Sequence, residues 1–412
     1  MNAPTLGEPQ IASTKRHPVS DDIQIPERIE VGADQGLLFE LAGPRAKLFF
    51  DPAQTRAGIV TCGGLCPGLN NVIRSLFLEL HFGYGVRNVL GFRDGYGGLD
   101  PTASREPVEI TADMVDSIHQ QGGTVLGSSR GPVDITRAVD NLIARGVNVL
   151  FTVGGDGTQR GACELYQEAR RRGHALAVVG VPKTIDNDVA FVSRTFGFTT
   201  AVEEAARVLD CAHTEARSIP GGIGLVKLMG RAAGFVTAGA AVASQDVDFA
   251  LIPEVPFQLD AFLAALQQRM KTTSHAVVAV AEGVGQDLMD ADPIARDASG
   301  NVKLKDIGLF LRGKIESFFK AEGRSVVLRY FDPSYQVRSV PANCEDAILC
   351  DLFARNAVHA AMAGKTGVVI GFLHDRFIHV PIEVLAGRRK SVDPTGPVWS
   401  GVLAATGQPE WL

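Results

Sequence analysis

Pro182-Lys183-Thr184-Ile185-Asp186-Asn187-Asp188 directly follows the apolar run Ala177-Val178-Val179-Gly180-Val181. A run of that length and composition reads as a buried parallel strand. Ligands of open α/β sheets sit outside the carboxyl ends of such strands. Proline has no N–H to extend the ladder, so the chain turns at Pro182 and sets Asp186 and Asp188 on a loop beside that crevice. Two acids two residues apart serve either as general base and metal-charge partner or as a plain solvated turn. A second stretch of the same design favours chemistry. Val149-Leu150-Phe151-Thr152-Val153 enters Gly154-Gly155-Asp156-Gly157-Thr158, a glycine loop able to approach phosphate closely. The two loops lie about 30 residues apart, the length of one βαβ unit.

The same plan recurs outward from these loops. Ala57-Gly58-Ile59-Val60-Thr61 runs into Cys62-Gly63-Gly64-Leu65-Cys66-Pro67-Gly68-Leu69-Asn70, after which Val72, Ile73, Leu76, Phe77 and Leu80 keep helical spacing. Strand, glycine loop and helix N-terminus together form an anion site, or else a tight turn; the pattern is neither GxGxxG nor GxxxxGK[ST]. Gly91 to Leu99 is a further glycine loop, in which Tyr96 either covers a ligand or caps the core. Gly122 to Gly131 brings Arg130, whose fork of donors suits phosphate oxygens. Helices are expected over Gln159–Arg172, Phe198–Ala212, up to Ser244, and over Cys344–Met362, with strands at 224–228, 249–252 and 276–280. Alternation of this kind predicts an α/β protein of two doubly wound parallel-sheet domains with the active site in the cleft between them. Residues 1 to 54, which contain Pro4, Pro9, Pro18 and Pro26, read as an N-terminal extension packed outside or partly mobile. The polar stretch 287–305 reads as a surface excursion.

Composition narrows the partners. A hydrophobic share of 45% with 21% charged residues fits an ordinary globular protein. The net charge of -6 offers no footprint for nucleic acid or an anionic membrane. No apolar run reaches bilayer length and the N-terminus lacks the pattern of a secretory signal, so a cytoplasmic protein is expected. Cysteines 62, 66, 163, 211, 344 and 350 are too scattered for a zinc site and read as reduced thiols.

Taken in order, Gly63-Gly64 with Pro67-Gly68-Leu69-Asn70, Gly154-Gly155-Asp156-Gly157-Thr158, Pro182 to Asp188, and Met229-Gly230-Arg231 resemble the motifs of the phosphofructokinase family. The resemblance covers roughly Thr55 to Thr395. It implies transfer of the γ-phosphoryl of ATP to the 1-hydroxyl of fructose 6-phosphate with Mg²⁺, in a homotetramer or dimer. Asp186 matches the general base, with Thr184 and Arg231 completing the catalytic group. Gly64, Arg130, Gly131, Gly155, Asp156, Gly157 and Thr158 match the ATP site, Asp156 being the metal-associated acid. Thr184, Ile185, Asp186, Met229, Gly230, Arg231 and Glu282 match sugar contacts; Tyr335-Gln336-Val337-Arg338 resembles the 6-phosphate grip, with Arg324 a weaker candidate. By the same resemblance, residues 55–197 form the nucleotide-binding domain, completed by about 337–400, and 198–336 the sugar-phosphate domain.

Two departures bear on mechanism. Gly222 stands where well-known bacterial ATP enzymes carry an arginine that reaches a neighbouring subunit. Lys183 replaces their glycine and matches pyrophosphate users, whereas Gly157 replaces the aspartate those users carry. A carboxylate at 157 would crowd and repel the donor's α-phosphate, so Gly157 weighs more, and the combination resembles a branch that includes plant and protist ATP enzymes. A pyrophosphate-dependent enzyme is the alternative. A catalytically inactive nucleotide-sensing protein on the same fold is another, against which Asp156 and Asp186 both stand. Gly157→Asp is accordingly expected to lower ATP-dependent kcat/KM by at least about 10²-fold, roughly 3 kcal/mol, and to affect pyrophosphate less. Steady-state rates with both donors on parent and variant decide it; a parent enzyme that uses pyrophosphate and ignores ATP reverses the ranking of Gly157 over Lys183.

Overall fold

The computed structural model describes residues 1–28, 36–102, 105–289 and 302–410. Most of the polar stretch 287–305 falls outside them.

Two sheets carry the chain. In the first, β1 (Arg56–Thr61), β2 (Asn88–Phe92), β3 (Val149–Gly154) and β4 (Ala177–Pro182) run parallel in the order β2-β1-β3-β4. In the second, β5 (Gly222–Leu228), β6 (Phe249–Leu251), β7 (Ala276–Ala281) and β8 (Val327–Phe331) run parallel in the order β6-β7-β5-β8. The chain then returns to the first sheet. There β9 (Val368–Leu373) pairs parallel with β4 and forms an antiparallel hairpin with β10 (Arg376–Pro381).

Period-two alternation explains the layers. Ile59, Phe151 and Val179 join a core with α1 (Leu69–Leu78) and α8 (Cys344–Met362), whereas Val60, Leu150 and Val178 face α2 (Ile135–Ala144) and α3 (Asp156–Arg171). The second sheet packs one face on α4 (Phe198–Arg217) and α5 (Phe235–Ser244), the other on α6 (Leu259–Thr272) and α7 (Ile307–Ala321). A closing helix, α9 (Pro397–Thr406), lies on α5. Two element boundaries differ from expectation. The α3 helix starts at Asp156 rather than Gln159, with Gly155 as its N-cap, so the acid stands in the first turn, where the helix dipole favours it. The α4 helix continues to Arg217 because Ala212 and Ala216 remain buried on the same stripe.

The first 54 residues are more regular than their prolines suggest. Leu38–Leu41 pairs antiparallel with β10 and Gln24–Pro26 pairs with Leu38–Leu41, extending the first sheet to nine strands. Glu40 anchors this addition. Its buried carboxylate accepts from Arg45 Nη2 at 2.7 Å and Ala3 N at 3.1 Å, and lies 2.8 Å from Lys365 Nζ. Burial pushes that carboxyl up, but the hydrogen bond from His379 and the Lys365 and Arg45 cations outweigh it and hold it well below the usual range. Such a cluster is fragile to the loss of one member, since the rest remain buried without their counter-charge. Glu40→Ala is therefore expected to destabilise the fold by about 3 kcal/mol or more, read as a lower urea midpoint; an unchanged midpoint contradicts the anchor.

Candidate active site

Strand order reverses between β1 and β3: the chain leaves β1 toward β2 on one side and comes back as β3 on the other. The crevice at that switch point is where an open sheet takes its ligand, and it is lined by Gly63-Gly64 from β1 and Gly155-Asp156 from β3. A Cβ on Gly64 would lie 3.1 Å from Arg130 Nη2 and 3.2 Å from Arg338 Nη1, so two guanidinium groups crowd this backbone position. The ammonium of the buried Lys183 donates to Gly64 O at 2.7 Å. Burial pushes its pKa down, while Cys66 and Asp186 pull it up. The Arg130-Gly131 turn is held to the same loop, Ser128 Oγ donating to Gly63 O at 2.6 Å and Gly63 N to Ser129 O at 3.1 Å. At Gly157 a Cβ would meet only Arg160 Nη2, at 3.9 Å, leaving this side of the first helical turn open. Tyr96 caps the core: it is buried, and its hydroxyl donates to Thr158 O at 2.5 Å.

The acid loop after β4 lies beside this crevice. Asp186 N donates to Thr184 Oγ1 at 3.0 Å, and Thr195 Oγ1 donates to Thr184 O at 2.7 Å. Asp186 Oδ1 is buried with no hydrogen-bond partner. Burial, reinforced by the Asp188 and Glu282 charges, pushes the Asp186 carboxyl up to about 7, with Lys183 and Arg231 acting in the opposite sense. Asp188 is raised too, by burial and by Asp156, and relieved by Arg389. The influence of Glu282 and Arg231 on Asp186 reaches across from the second sheet.

That sheet presents its own carboxyl ends to the same cleft. Met229-Gly230-Arg231 leaves β5 and Glu282 leaves β7; Glu282 N donates to Leu228 O at 2.9 Å and Gly283 N to Gly230 O at 3.1 Å, which joins the two exits. Burial raises the Glu282 carboxyl, opposed by Arg231 and Lys227. After β8, Tyr335 is exposed and Arg338 stacks over its ring at 4.8 Å, while Gln336 O accepts from Ser339 N at 3.1 Å in the same turn. Three of the expected residues are placed differently. Val337 and Ile185 turn their side chains into the apolar core, which leaves only their backbones for a ligand. Arg324 precedes β8 and so stands at the opposite end of the second sheet from the cleft. Of the remaining candidates, Arg130 and Arg338 meet at Gly64, and Asp188, Glu282 and Arg231 all act on Asp186.

None of the sequence motifs lies beyond β10, and no site residue was expected there. Arg389 Nη2 lies 3.2 Å from Asp156 Oδ2, and Lys390 reaches the acid loop. The only signal was the basic run Arg388-Arg389-Lys390. Asp156 and Asp188, close enough for one to raise the other, suit a hard divalent cation that takes one or two carboxylates and completes its shell with donor phosphates and water. Among the described residues no cluster of three or more metal-ligating side chains offers a full protein cage.

The phosphofructokinase family model matches residues 56–361. The chain is 47% identical to an ATP-dependent 6-phosphofructokinase of Amycolatopsis methanolica, over 97% of this chain and 91% of the relative. It is 43% identical to ATP-dependent 6-phosphofructokinase 7 of Arabidopsis thaliana (99% and 85% covered) and 48% to the ATP-dependent 6-phosphofructokinase of Trypanosoma cruzi (90% and 77%). Among solved structures, a pyrophosphate-dependent phosphofructokinase from Marinobacter aquaeolei superposes with a TM-score of 0.72 at 20% identity, covering 86% of this chain and 92% of that one. At that identity the likeness speaks for the fold alone. A family model spanning most of the folded body, with relatives near half identical over almost the whole length, makes this chain a member of the phosphofructokinase family.

Proposed function

We propose that this enzyme is an ATP-dependent 6-phosphofructokinase, which moves the γ-phosphoryl of ATP to the 1-hydroxyl of fructose 6-phosphate. The observation that carries the reading is Asp186, a carboxylate with one oxygen buried and unpartnered where the carboxyl ends of both sheets meet. A base for an alcohol must be within reach of the hydroxyl and titrate near working pH, and Asp186 has the second property already. The ATP-dependent relatives and the open face at Gly157 support ATP over pyrophosphate as donor.

Phosphoryl transfer asks for positioning and charge neutralisation more than covalent chemistry. On this reading Asp186 takes the hydroxyl proton as the oxygen attacks, and Thr184 holds the Asp186 backbone. Gly64, Arg130, Gly131 and the start of α3 from Gly155 to Thr158 bind the donor phosphates. Lys183 supplies a fixed charge beside the group in flight. Met229, Gly230, Arg231 and Glu282 orient the sugar, and Tyr335, Gln336 and Arg338 grip its 6-phosphate. Asp156, with Asp188 near it, would hold Mg²⁺, which neutralises phosphate charge when bound.

No helix of the described residues is long and apolar enough to cross a membrane, and we read the enzyme as cytoplasmic. A homo-oligomer, tetramer or dimer, is supported by the exposed Ile348 and Leu352 on α8 and by Phe82; sedimentation as a fully active monomer contradicts it.

Two consequences of the Asp186 environment are measurable. The base works ionised, so with its carboxyl near 7 the protonated, idle form takes over on the acid side. We expect kcat/KM to fall about tenfold per pH unit below that point; a profile flat to pH 5 removes Asp186 from the role. The same raised value means that the folded state binds more protons than the unfolded one between the ordinary aspartate range and 7. Stability is thus highest below that window and is lost as pH rises through it. Asp186→Asn is expected to cut turnover by about 10² or more with substrate affinity largely kept, and to raise the melting temperature at pH 8. Parental turnover, or a lowered melting temperature, contradicts this account.

A further inference from the structure

Gly387-Arg388-Arg389-Lys390-Ser391-Val392-Asp393 lies beyond the family-matched region and carries no motif, yet it runs along the acid loop. Arg389 forms an antiparallel bridge with Val189, and Lys390 N donates to Asp188 O at 2.9 Å. The Lys390 ammonium then donates three hydrogen bonds into the turn that follows Asp186: to Asn187 Oδ1 at 2.9 Å, Val192 O at 2.7 Å and Ser193 O at 2.8 Å. An ammonium has three N–H groups, and here all three are spent on one loop. Beyond it the segment fastens to the other half of the cleft. Val392 N donates to Glu254 Oε1 at 2.8 Å, and both Glu254 oxygens accept from Gly234 N at 3.0 Å, at the start of α5. The Lys390 Nζ also lies 5.0 Å from the centre of the Phe235 ring.

No hydrogen bond fixes the direction of Asp186 Oδ1, which leaves that oxygen open to a substrate hydroxyl. The hydrogen bonds that hold this part of the loop run through the backbone, beginning with Asp186 N to Thr184 Oγ1. The neighbouring Asn187 has φ +54°, a left-handed conformation that asparagine tolerates but that needs holding. Thr195 holds its side-chain carbonyl from within the loop, through N at 3.0 Å and Oγ1 at 3.5 Å, and Lys390 Nζ holds it from outside. Without the ammonium, Asn187 Oδ1 and two backbone carbonyls lose a charged donor together.

We propose that Lys390 is a positioning residue for phosphoryl transfer: by gripping the Asn187–Ser193 turn from the C-terminal segment, it aims the Asp186 carboxylate without touching substrate. The inference rests on Asp186 being the base. A tetrahedral ammonium can meet three converging oxygens, which the planar fork of a guanidinium cannot.

The parent and variant enzymes are assayed with ATP, fructose 6-phosphate and Mg²⁺. Lys390→Met is expected to lower kcat about 10²-fold, the scale of a small misplacement at a reacting centre, while KM for each substrate stays within about threefold. In Lys390→Ala, n-butylammonium chloride should restore kcat at least about tenfold relative to potassium chloride at equal ionic strength. Lys390→Arg, folded by circular dichroism, should keep both KM values and lose at least about tenfold in kcat. Parental kcat in folded Lys390→Met, or a loss confined to KM, overturns the proposal. If Lys390→Met does not fold, parental kcat in Lys390→Arg overturns it. An inactive parent enzyme would instead strike the reading of the site itself, so the two failures are distinct.

Discussion

A carboxylate with a buried, unpaired oxygen is an unfavourable thing for a fold to keep, and the architecture around Asp186 exists on those terms. Burial and two neighbouring acids push Asp186 toward the protonated form; Lys183 and Arg231 restrain the shift. Those four charges come from the first sheet and from the second, so the balance holds only while the two carboxyl ends face each other. The donor crevice at the β1–β3 switch point and the exits of β5 and β7 are the two walls of that balance.

Much of this was legible because parallel strands buried on both faces read as plain apolar runs, and β3, β4 and β7 are nearly pure examples. The loops after them were legible for a related reason. Backbone that must approach phosphate closely uses glycine, and an acid that must work beside it appears as an isolated aspartate in a small-residue setting. The burial of the Val337 and Ile185 side chains was not legible, because a motif marks a stretch of backbone and does not say which side chains point inward. The role of 24–26 and 38–41 was hidden because strands this short have little periodicity, and Glu40 is a charged residue whose burial depends on Arg45, Lys365 and His379, two of them over three hundred residues away. Arg389 and Lys390 were invisible as site residues for the same reason: an unremarkable basic run gains meaning only from what it lies against.

The two chain ends thus have complementary duties. The C-terminal segment links Asn187 in the acid loop to Glu254 beside α5, tying the halves of the cleft. The described part of the N-terminal segment completes a sheet.

That completion bears on how the molecule avoids its own kind. Without Leu38–Leu41, the six-residue β10 would present an open row of backbone donors and acceptors, a ready template for another chain's strand. With the arm in place, the nine-stranded sheet ends in the three-residue strand Gln24–Pro26 on one side and the two-residue strand Val108–Glu109 on the other. Both rims are too short to seed a cross-chain ladder, and one carries a proline that has no N–H to offer. The larger sheet of this chain is therefore guarded at both rims against growing into a neighbour's.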